Sequence, residues 1–119
     1  MKDFRELVVW QRAHGLAVVV YKATKSFPKE ELYGLTSQMR RACVSIPANI
    51  VEGCGRGSDA DFARFLHIAM GSACELEYHL LLAQELDFLE RTDVDRLSGE
   101  LAEIKKMLSA FIKKLKAEG

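Results

Sequence analysis

The sequence predicts an all-α protein folded as an antiparallel, up-down-up-down four-helix bundle. Apolar residues recur at helical spacing in four long segments, and the alternation typical of strands is nearly absent. The 119-residue chain has only two prolines and no Asn-Gly or Asp-Gly turn. Short connections between long helices favour antiparallel neighbours. We therefore expect a single domain, residues 1–119, with helices at about 6–25, 29–54, 59–88 and 93–116.

The first predicted helix carries two apolar lines. They comprise Leu7, Trp10, Ala17 and Tyr21, and Val9, Ala13, Leu16, Val20 and Ala23. Two lines cover more surface than the usual single stripe, so this helix should be buried on two sides. His14 lies among apolar neighbours and is expected to be a core histidine. Pro28 ends the segment, since proline cannot continue the helical hydrogen bonds and restricts the preceding residue.

The second predicted helix is the central element of the chain. Six polar residues fall within a narrow arc of it and form what we call the polar seam: Gln38, Arg41, Ser45, Asn49, Glu52 and Arg56. Beside the seam runs an apolar stripe of Leu35, Met39, Ala42, Cys43, Ile46, Ile50 and Cys54. The remaining arc is also largely apolar, with Val44, Pro47, Ala48 and Val51. A helix that is apolar nearly all round is usually buried, so we expect this helix to contact other subunits.

Pro47 and the glycine-rich segment 53–57 of this helix each allow two interpretations. Pro47 removes one backbone hydrogen bond, which allows either a kinked continuous helix or a break near Ser45. The kinked helix is favoured because the seam and the stripe both keep their phase across the proline. The segment 53–57 is expected to end the helix through glycines in left-handed conformations. It superficially resembles a phosphate loop, but no strand precedes it and no Lys-Ser/Thr pair follows.

The third and fourth helices have start signals. Ser58 is a candidate N-cap followed by acids, and Thr92 is expected to cap the fourth helix. The apolar face of the third comprises Phe62, Phe65, Leu66, Ala69, Ala73, Leu76, Leu80 and Ala83. That of the fourth comprises Val94, Leu97, Leu101, Ile104, Leu108, Phe111 and Leu115. The fourth helix alone is expected to have an ordinary charged solvent face.

Composition argues against several functional classes. The formal net charge is zero, so no global field would recruit nucleic acid or an anionic membrane. Residues 1–64 carry ten Lys/Arg against seven Asp/Glu, and the remainder is correspondingly acidic. This mild dipole suits head-to-tail contacts between subunits as well as a basic binding face. Cys43, Cys54 and Cys74 are odd in number and widely spaced, which disfavours a disulfide framework or a zinc knuckle. Cys43 and Cys74 are expected to act as small hydrophobic residues, and Cys54, beside the glycines, is expected to be more exposed. With no signal peptide or long apolar run, we expect a cytoplasmic protein with no membrane association.

Three stretches together resemble a known family: LVVWQRAHGL, FPKEELYGLTSQMRRACVSIPANIVEGCGR and FARFLHIAMGSACELEYHL. They are similar to the small proteins whose genes lie in intervening sequences of some bacterial 23S ribosomal RNA genes. The resemblance runs from about Phe4 to Leu89 and implies an antiparallel four-helix bundle that assembles into a homopentamer. It implies no enzymatic activity. A more distant relative in fold, the accessory variability protein of diversity-generating retroelements, is strongly basic, whereas this chain is neutral.

The polar seam is the main candidate site. One interpretation is a buried polar network that specifies helix register and subunit pairing; the other is a groove that binds a ligand or a nucleic-acid backbone. Glu75 and His79, spaced i, i+4, form a candidate interface pair, because Glu-x-x-x-His occurs once and lacks the other ligands of a di-iron site. Candidate nucleic-acid contacts are Arg40, Arg41, Arg56 and Arg64, together with Lys2 and Arg5. Trp10, Tyr33 and Tyr78 are equally suited to stacking on bases and to the core.

The sequence therefore predicts a non-enzymatic, homo-oligomeric interaction or scaffold protein with no cofactor, no metal and no evident small-molecule substrate. Its partners would be further copies of itself, in a homopentamer with a central channel, and a protein or RNA bound across the ring. The alternative function is a nucleic-acid-binding component of a ribonucleoprotein or retroelement-type complex. Strong salt-dependent RNA binding would favour that alternative.

Overall fold

Four α-helices form the protein in a computed structural model that describes residues 3–118. The helices are α1 (Val8–Ala23), α2 (Leu35–Cys54), α3 (Asp59–Glu85) and α4 (Arg91–Glu118). Short 3₁₀ turns occupy Phe4–Glu6, Thr24–Ser26 and Lys29–Glu31. No strand is present among residues 3–118. The prediction of an all-α four-helix protein is confirmed.

Contacts between consecutive helices follow the order expected of antiparallel neighbours. Between α2 and α3, Ser45 bonds with Ser72 near the middle of both helices, while Gly53 lies against Phe62 close to the connection. Between α3 and α4, the Phe62 ring packs on Phe111, and Glu77 pairs with Lys105 nearer the turn. By these contacts α3 runs back along α2, and α4 runs back along α3.

One hydrophobic core joins all four helices, and the predicted stripes supply most of it. Every residue of the α2 stripe is buried, as is every residue of the α3 face except Phe62, which is half-buried. In the last turns of α4, Ile112 and Leu115 are buried, while Phe111 is half-buried. Burial of these apolar side chains is the main stabilising contribution to such a bundle.

Helix α2 continues through Pro47 without a break, which confirms the continuous helix over the alternative. Its start was predicted wrongly: the α-helix begins at Leu35, not near residue 29, and Lys29–Glu31 forms a separate 3₁₀ turn. Gly34 has φ −114° and ψ −114°, which is not helical and separates the two. The Glu31 carboxylate then accepts a hydrogen bond from the Leu35 backbone N–H at 3.1 Å.

The glycines after α2 do not act as predicted. No described glycine has a positive φ, and Gly55 ends the helix at φ −82° and ψ −5°. The important glycine is Gly53, because a Cβ there would lie 2.7 Å from the Phe62 ring and 3.0 Å from the Phe65 Cβ. Gly53 therefore permits close packing of α2 against α3. Among residues 3–118 a positive φ, of 62°, occurs at Asp87, in the turn before α4.

The starts of α3 and α4 and the environment of His14 agree with the sequence predictions to different degrees. The Ser58 N-cap is confirmed, since its hydroxyl oxygen accepts a hydrogen bond from the Asp61 N–H at 3.2 Å. Thr92 lies inside α4, which begins at Arg91, so its assignment as a cap was wrong. His14 is exposed rather than buried, with its ring stacked on Trp10 at 4.9 Å between centroids.

Candidate assembly interface

The polar seam runs along α2 on the side that faces α3. Its two half-buried members are Ser45 and Asn49, whereas Gln38, Arg41, Glu52 and Arg56 are exposed in the single chain. The expected burial of the whole seam would therefore require a second chain, and it stays a prediction.

The centre of the seam is satisfied within the chain. The Asn49 amide nitrogen donates to the Ser45 carbonyl oxygen at 2.8 Å and to the Ser45 hydroxyl at 2.9 Å. The Ser72 hydroxyl of α3 donates to the same Ser45 oxygen at 2.8 Å. These bonds join α2 to α3 and use the polar groups that would otherwise be costly to bury.

The two ends of the seam differ. At one end Arg56 pairs with Glu52 at 3.1 Å, both side chains being largely exposed. At the other end Gln38 and Arg41 line a polar depression of about 330 Å³, opposite Glu75 of α3. No carboxylate among residues 3–118 lies within ion-pair distance of the Arg41 guanidinium, so this cation is open to an external partner.

Glu75 and His79 lie on one side of α3 as predicted and form a contact within the chain. The His79 Nε2 is 3.4 Å from a Glu75 oxygen, and the histidine side chain is only 4% exposed. Burial lowers the pKa of His79, against a smaller opposing effect of the Glu75 charge. Its Nδ1 has no hydrogen-bond partner in the described part of the chain. The pair is therefore a buried neutral imidazole beside an exposed carboxylate.

The candidate nucleic-acid contacts do not form a single patch. Arg40 and Arg41 lie near the start of α2, whereas Arg56 and Arg64 both place their guanidinium groups over the Phe65 ring, at 4.8 and 4.5 Å. At about 1.5 Å per residue, the two clusters are on the order of 20 Å apart along the bundle. Arg5 pairs with Asp3 at 3.2 Å, and Lys2 lies outside the described residues.

A surface groove between α1 and α2, which the sequence did not predict, contains the most exposed apolar side chains near the seam. We call it the α1–α2 groove; its volume is about 570 Å³ and it is lined by Tyr21, Leu32, Tyr33, Thr36, Ser37, Arg40, Arg41, Val44 and Ser45. Tyr33 is 93% exposed, and Leu32 and Val44 are also exposed. Leu32 and Tyr33 lie in the connection before α2, outside its helical periodicity. The sequence therefore indicated Tyr33 only as a residue suited to base stacking or to the core, and it did not indicate Leu32. Their signal was two adjacent large apolar residues in an otherwise polar turn.

Arg40 is held in this groove by three contacts. Its guanidinium lies over the Tyr21 ring at 4.8 Å, its Nε donates to the Thr24 hydroxyl at 2.9 Å, and one terminal nitrogen donates to the Tyr21 carbonyl at 3.4 Å. Thr36 also lines the groove and is buried, and its hydroxyl has no hydrogen-bond partner among residues 3–118. A buried hydroxyl without a partner is costly, so the groove offers a polar group to an incoming ligand or chain.

The burial of the cysteines and of two tyrosines differs partly from what the sequence predicts. Cys54, expected near the surface, is buried, and Cys74, expected in the core, is exposed. Cys43 is buried, which raises the pKa of its thiol to about 11. Tyr33 and Tyr78 are exposed rather than core residues. In the described part of the chain, no group of three or more His, Cys, Asp or Glu is arranged to hold a metal ion, and no helix could cross a membrane.

Comparison with known proteins supports the resemblance seen in the sequence. The family model for the 23S rRNA-intervening sequence protein matches residues 5–110. A solved crystal structure from Bacteroides thetaiotaomicron, a protein of unknown function from the S23 ribosomal protein family, is 32% identical with a TM-score of 0.83. The similarity covers 89% of this chain and 96% of that one. No curated protein gives a significant match.

Proposed function

The chain belongs to the 23S rRNA-intervening sequence protein family, and we propose that it is a non-enzymatic, cytoplasmic protein that assembles into a homopentamer. In this proposal the assembly acts as a scaffold for another macromolecule, and the working surface of each subunit is the outer side of α2.

The observation that carries the proposal is the apolar surface along α2. Val44 and Ala48 are exposed and Val51 is half-buried on the arc that faces away from the core. The α1–α2 groove continues this surface on one side, and the polar seam borders it on the other. Contiguous apolar surface bordered by polar residues is typical of sites of protein association.

The seam supplies polar contacts that a subunit interface requires. Arg41 has no ion pair with any of the described residues 3–118, while Ser45 and Asn49 are already hydrogen-bonded within the chain. An incoming subunit could therefore bury the central part of the seam without leaving unpaired groups, and it would need to supply an acceptor for Arg41. Buried charges are tolerated when they are paired and hydrogen-bonded.

The test is a pair of matched substitutions. Val44→Glu places a carboxylate on the proposed interface, whereas Val8→Glu places the same group on an exposed valine at the start of α1. We expect the first to lower the oligomer mass measured by light scattering after size exclusion, and the second to leave it unchanged. Equal masses for both variants and the unsubstituted protein would contradict the proposed interface.

Nucleic-acid binding is the second candidate, and the cluster of Arg40 and Arg41 beside exposed Tyr33 favours it. Single strands are bound by cationic grooves in which aromatic rings stack on bases. Anisotropy titrations of a labelled single-stranded RNA at 50 and 200 mM salt would test this function, with Arg41→Ala expected to weaken binding and reduce the salt dependence. Equal binding by Arg41→Ala would exclude this cluster as the site.

A further inference from the structure

Exposed apolar side chains are concentrated on two separate surfaces of the described chain. The first surface is the α1–α2 groove, with Tyr21, Leu32, Tyr33 and Val44. The second is the solvent side of α3, which we call the α3 outer surface, defined by Ile68, Gly71, Glu75, Tyr78, Leu81 and Glu85. Its three large apolar residues are 43–59% exposed, and a Cβ at Gly71 would meet no atom within 4 Å.

The two surfaces carry opposite charge. Residues 21–41, which form the walls of the groove and its approach, contain five Lys/Arg and two Asp/Glu. Residues 65–90, which contain the α3 outer surface, hold five Asp/Glu and no Lys or Arg. Glu77 is neutralised by Lys105 at 3.1 Å, but Glu85 has no ion pair among residues 3–118. A basic apolar groove and an acidic apolar helix face are complementary in charge and also match in their apolar character.

The two surfaces are distinct patches on different helices. The groove is formed by α1, α2 and the connection before α2, whereas Tyr78 and Leu81 are exposed on α3. Only Glu75 of the α3 outer surface approaches the groove, across the polar depression that it shares with Arg41. A contact that joins two different patches is heterologous, and its repetition forms a ring when the rotation between successive copies closes, as the proposed homopentamer requires. A contact that joined the groove to itself would instead bring Arg40 and Arg41 of both copies together, which like charges disfavour.

We propose that the α3 outer surface of one copy of this chain docks in the α1–α2 groove of the next copy. This inference rests on the self-assembly proposed above and identifies the two halves of its interface. Tyr78 and Leu81 supply the apolar contact to Tyr33 and Leu32. Glu85 lies in the acidic segment that faces the arginines of the groove, and the buried Thr36 hydroxyl gains a hydrogen-bond partner from the incoming helix.

The test uses one double variant for each surface. Leu32→Asp/Tyr33→Asp disables the groove, and Tyr78→Asp/Leu81→Asp disables the α3 outer surface. All four side chains are exposed by 48–93%, so the fold of each subunit should be retained, which helical circular dichroism would verify. Ser109→Asp/Ala110→Asp adds the same two carboxylates to exposed positions of α4 and is the matched control.

A head-to-tail interface makes a specific prediction for a mixture of the two disabled variants. Each variant alone should be a monomer of about 13.4 kDa, because each lacks one half of the interface. An equimolar mixture should form a 1:1 dimer of about twice that mass, since one intact groove can still receive one intact α3 surface. The dimer should not grow further, because both remaining surfaces carry added carboxylates. The control should keep the mass of the unsubstituted protein.

The other outcomes separate the two proposals. If the unsubstituted protein is an oligomer but the mixture stays monomeric, the head-to-tail pairing of these surfaces is wrong while self-assembly stands. If either double variant alone keeps the full oligomer mass, its surface lies outside the interface and the pairing is again wrong. If the unsubstituted protein is itself a monomer at micromolar concentration, the proposed assembly fails, and this inference fails with it.

Discussion

Gly53 allows a quantitative test of how closely α2 packs on α3. Replacing it by alanine adds a methyl group at a point 2.7 Å from the Phe62 ring and 3.0 Å from the Phe65 Cβ. The Phe62 ring is itself packed against Phe111, and the Phe65 Cβ moves only with the α3 backbone. The methyl group therefore forces a shift of packed groups, and such overpacking typically costs about 1–3 kcal/mol.

A glycine elsewhere in the bundle supplies the reference. In Gly99→Ala the added methyl group meets no atom within 4 Å, and the substitution should stabilise α4 by up to about 1 kcal/mol through helix propensity. Gly53→Ala should gain a similar stabilisation from helix propensity, but overpacking against α3 should destabilise it by about 1–3 kcal/mol. The unfolding free energies of the two variants should therefore differ by about 1–3 kcal/mol, with Gly53→Ala the less stable.

The assay is thermal unfolding followed by helical circular dichroism at one protein concentration. For a chain of 119 residues, 1 kcal/mol corresponds to roughly 4 °C in Tm. We expect Gly99→Ala to melt about 4 °C above the unsubstituted protein and Gly53→Ala to melt about 4–12 °C below Gly99→Ala. Equal stabilisation by the two substitutions would refute the account of Gly53 as a packing glycine.

Three further predictions concern titratable groups. Because burial lowers the pKa of His79, the unfolded chain binds a proton more readily, so folding stability should be full above about pH 6.5 and should fall as the pH drops through the lowered pKa. Urea unfolding of the protein and of His79→Gln between pH 7.5 and 5 would show this, and an equal pH slope in both would contradict it. Burial also raises the pKa of Cys43 to about 11, so Cys43 should remain unalkylated by iodoacetamide at pH 8 in the native protein, as peptide mass spectrometry would show; rapid alkylation of the native thiol would contradict its burial. Arg12 lowers the pKa of Glu100 through a hydrogen bond across α1 and α4, so Glu100→Gln should cost less than about 1 kcal/mol at pH 7, and the loss should shrink as the pH falls below about 4.5 through the lowered pKa. An unchanged loss at pH 3 would show that packing, not charge, is responsible.

Periodicity predicted the core well because apolar residues on a helix face have few alternatives to burial. The full α2 stripe from Leu35 to Cys54 is buried, and Ser58 caps α3 as its hydroxyl and the following acids indicated. Continuation of the helix through Pro47 was likewise predictable, since the stripe keeps its phase on both sides of the proline.

The errors lie where local pattern does not determine the environment. His14 has apolar neighbours in sequence, yet α1 turns it to the surface beside Trp10. Cys54 is buried where exposure was expected, and Cys74 is exposed where burial was expected, because burial of a small residue depends on which helix packs against it. The sequence assigned Gly53 to the segment that ends α2, whereas its packing role depends on Phe62 and Phe65 of the next helix.

For the candidate site as well, helical spacing predicted some features, and others depended on the three-dimensional packing. The position of the seam on one side of α2 followed from its spacing, but its hydrogen bond to Ser72 required the three-dimensional arrangement of α3. The four candidate arginines separated into two clusters, because Arg40 lies in the second turn of the 20-residue helix α2, whereas Arg56 lies just beyond its C-terminal end. Leu32 was missed, and Tyr33 was named only as suited to base stacking or to the core, because both precede the observed start of α2 at Leu35, where periodicity carries no information.

The native mass of the unsubstituted protein tests the central claim most directly. Light scattering coupled to size exclusion, at micromolar concentration, should give five times the 13.4 kDa of the chain. A single species at the mass of one chain would contradict the assembly and with it the role given to the outer side of α2.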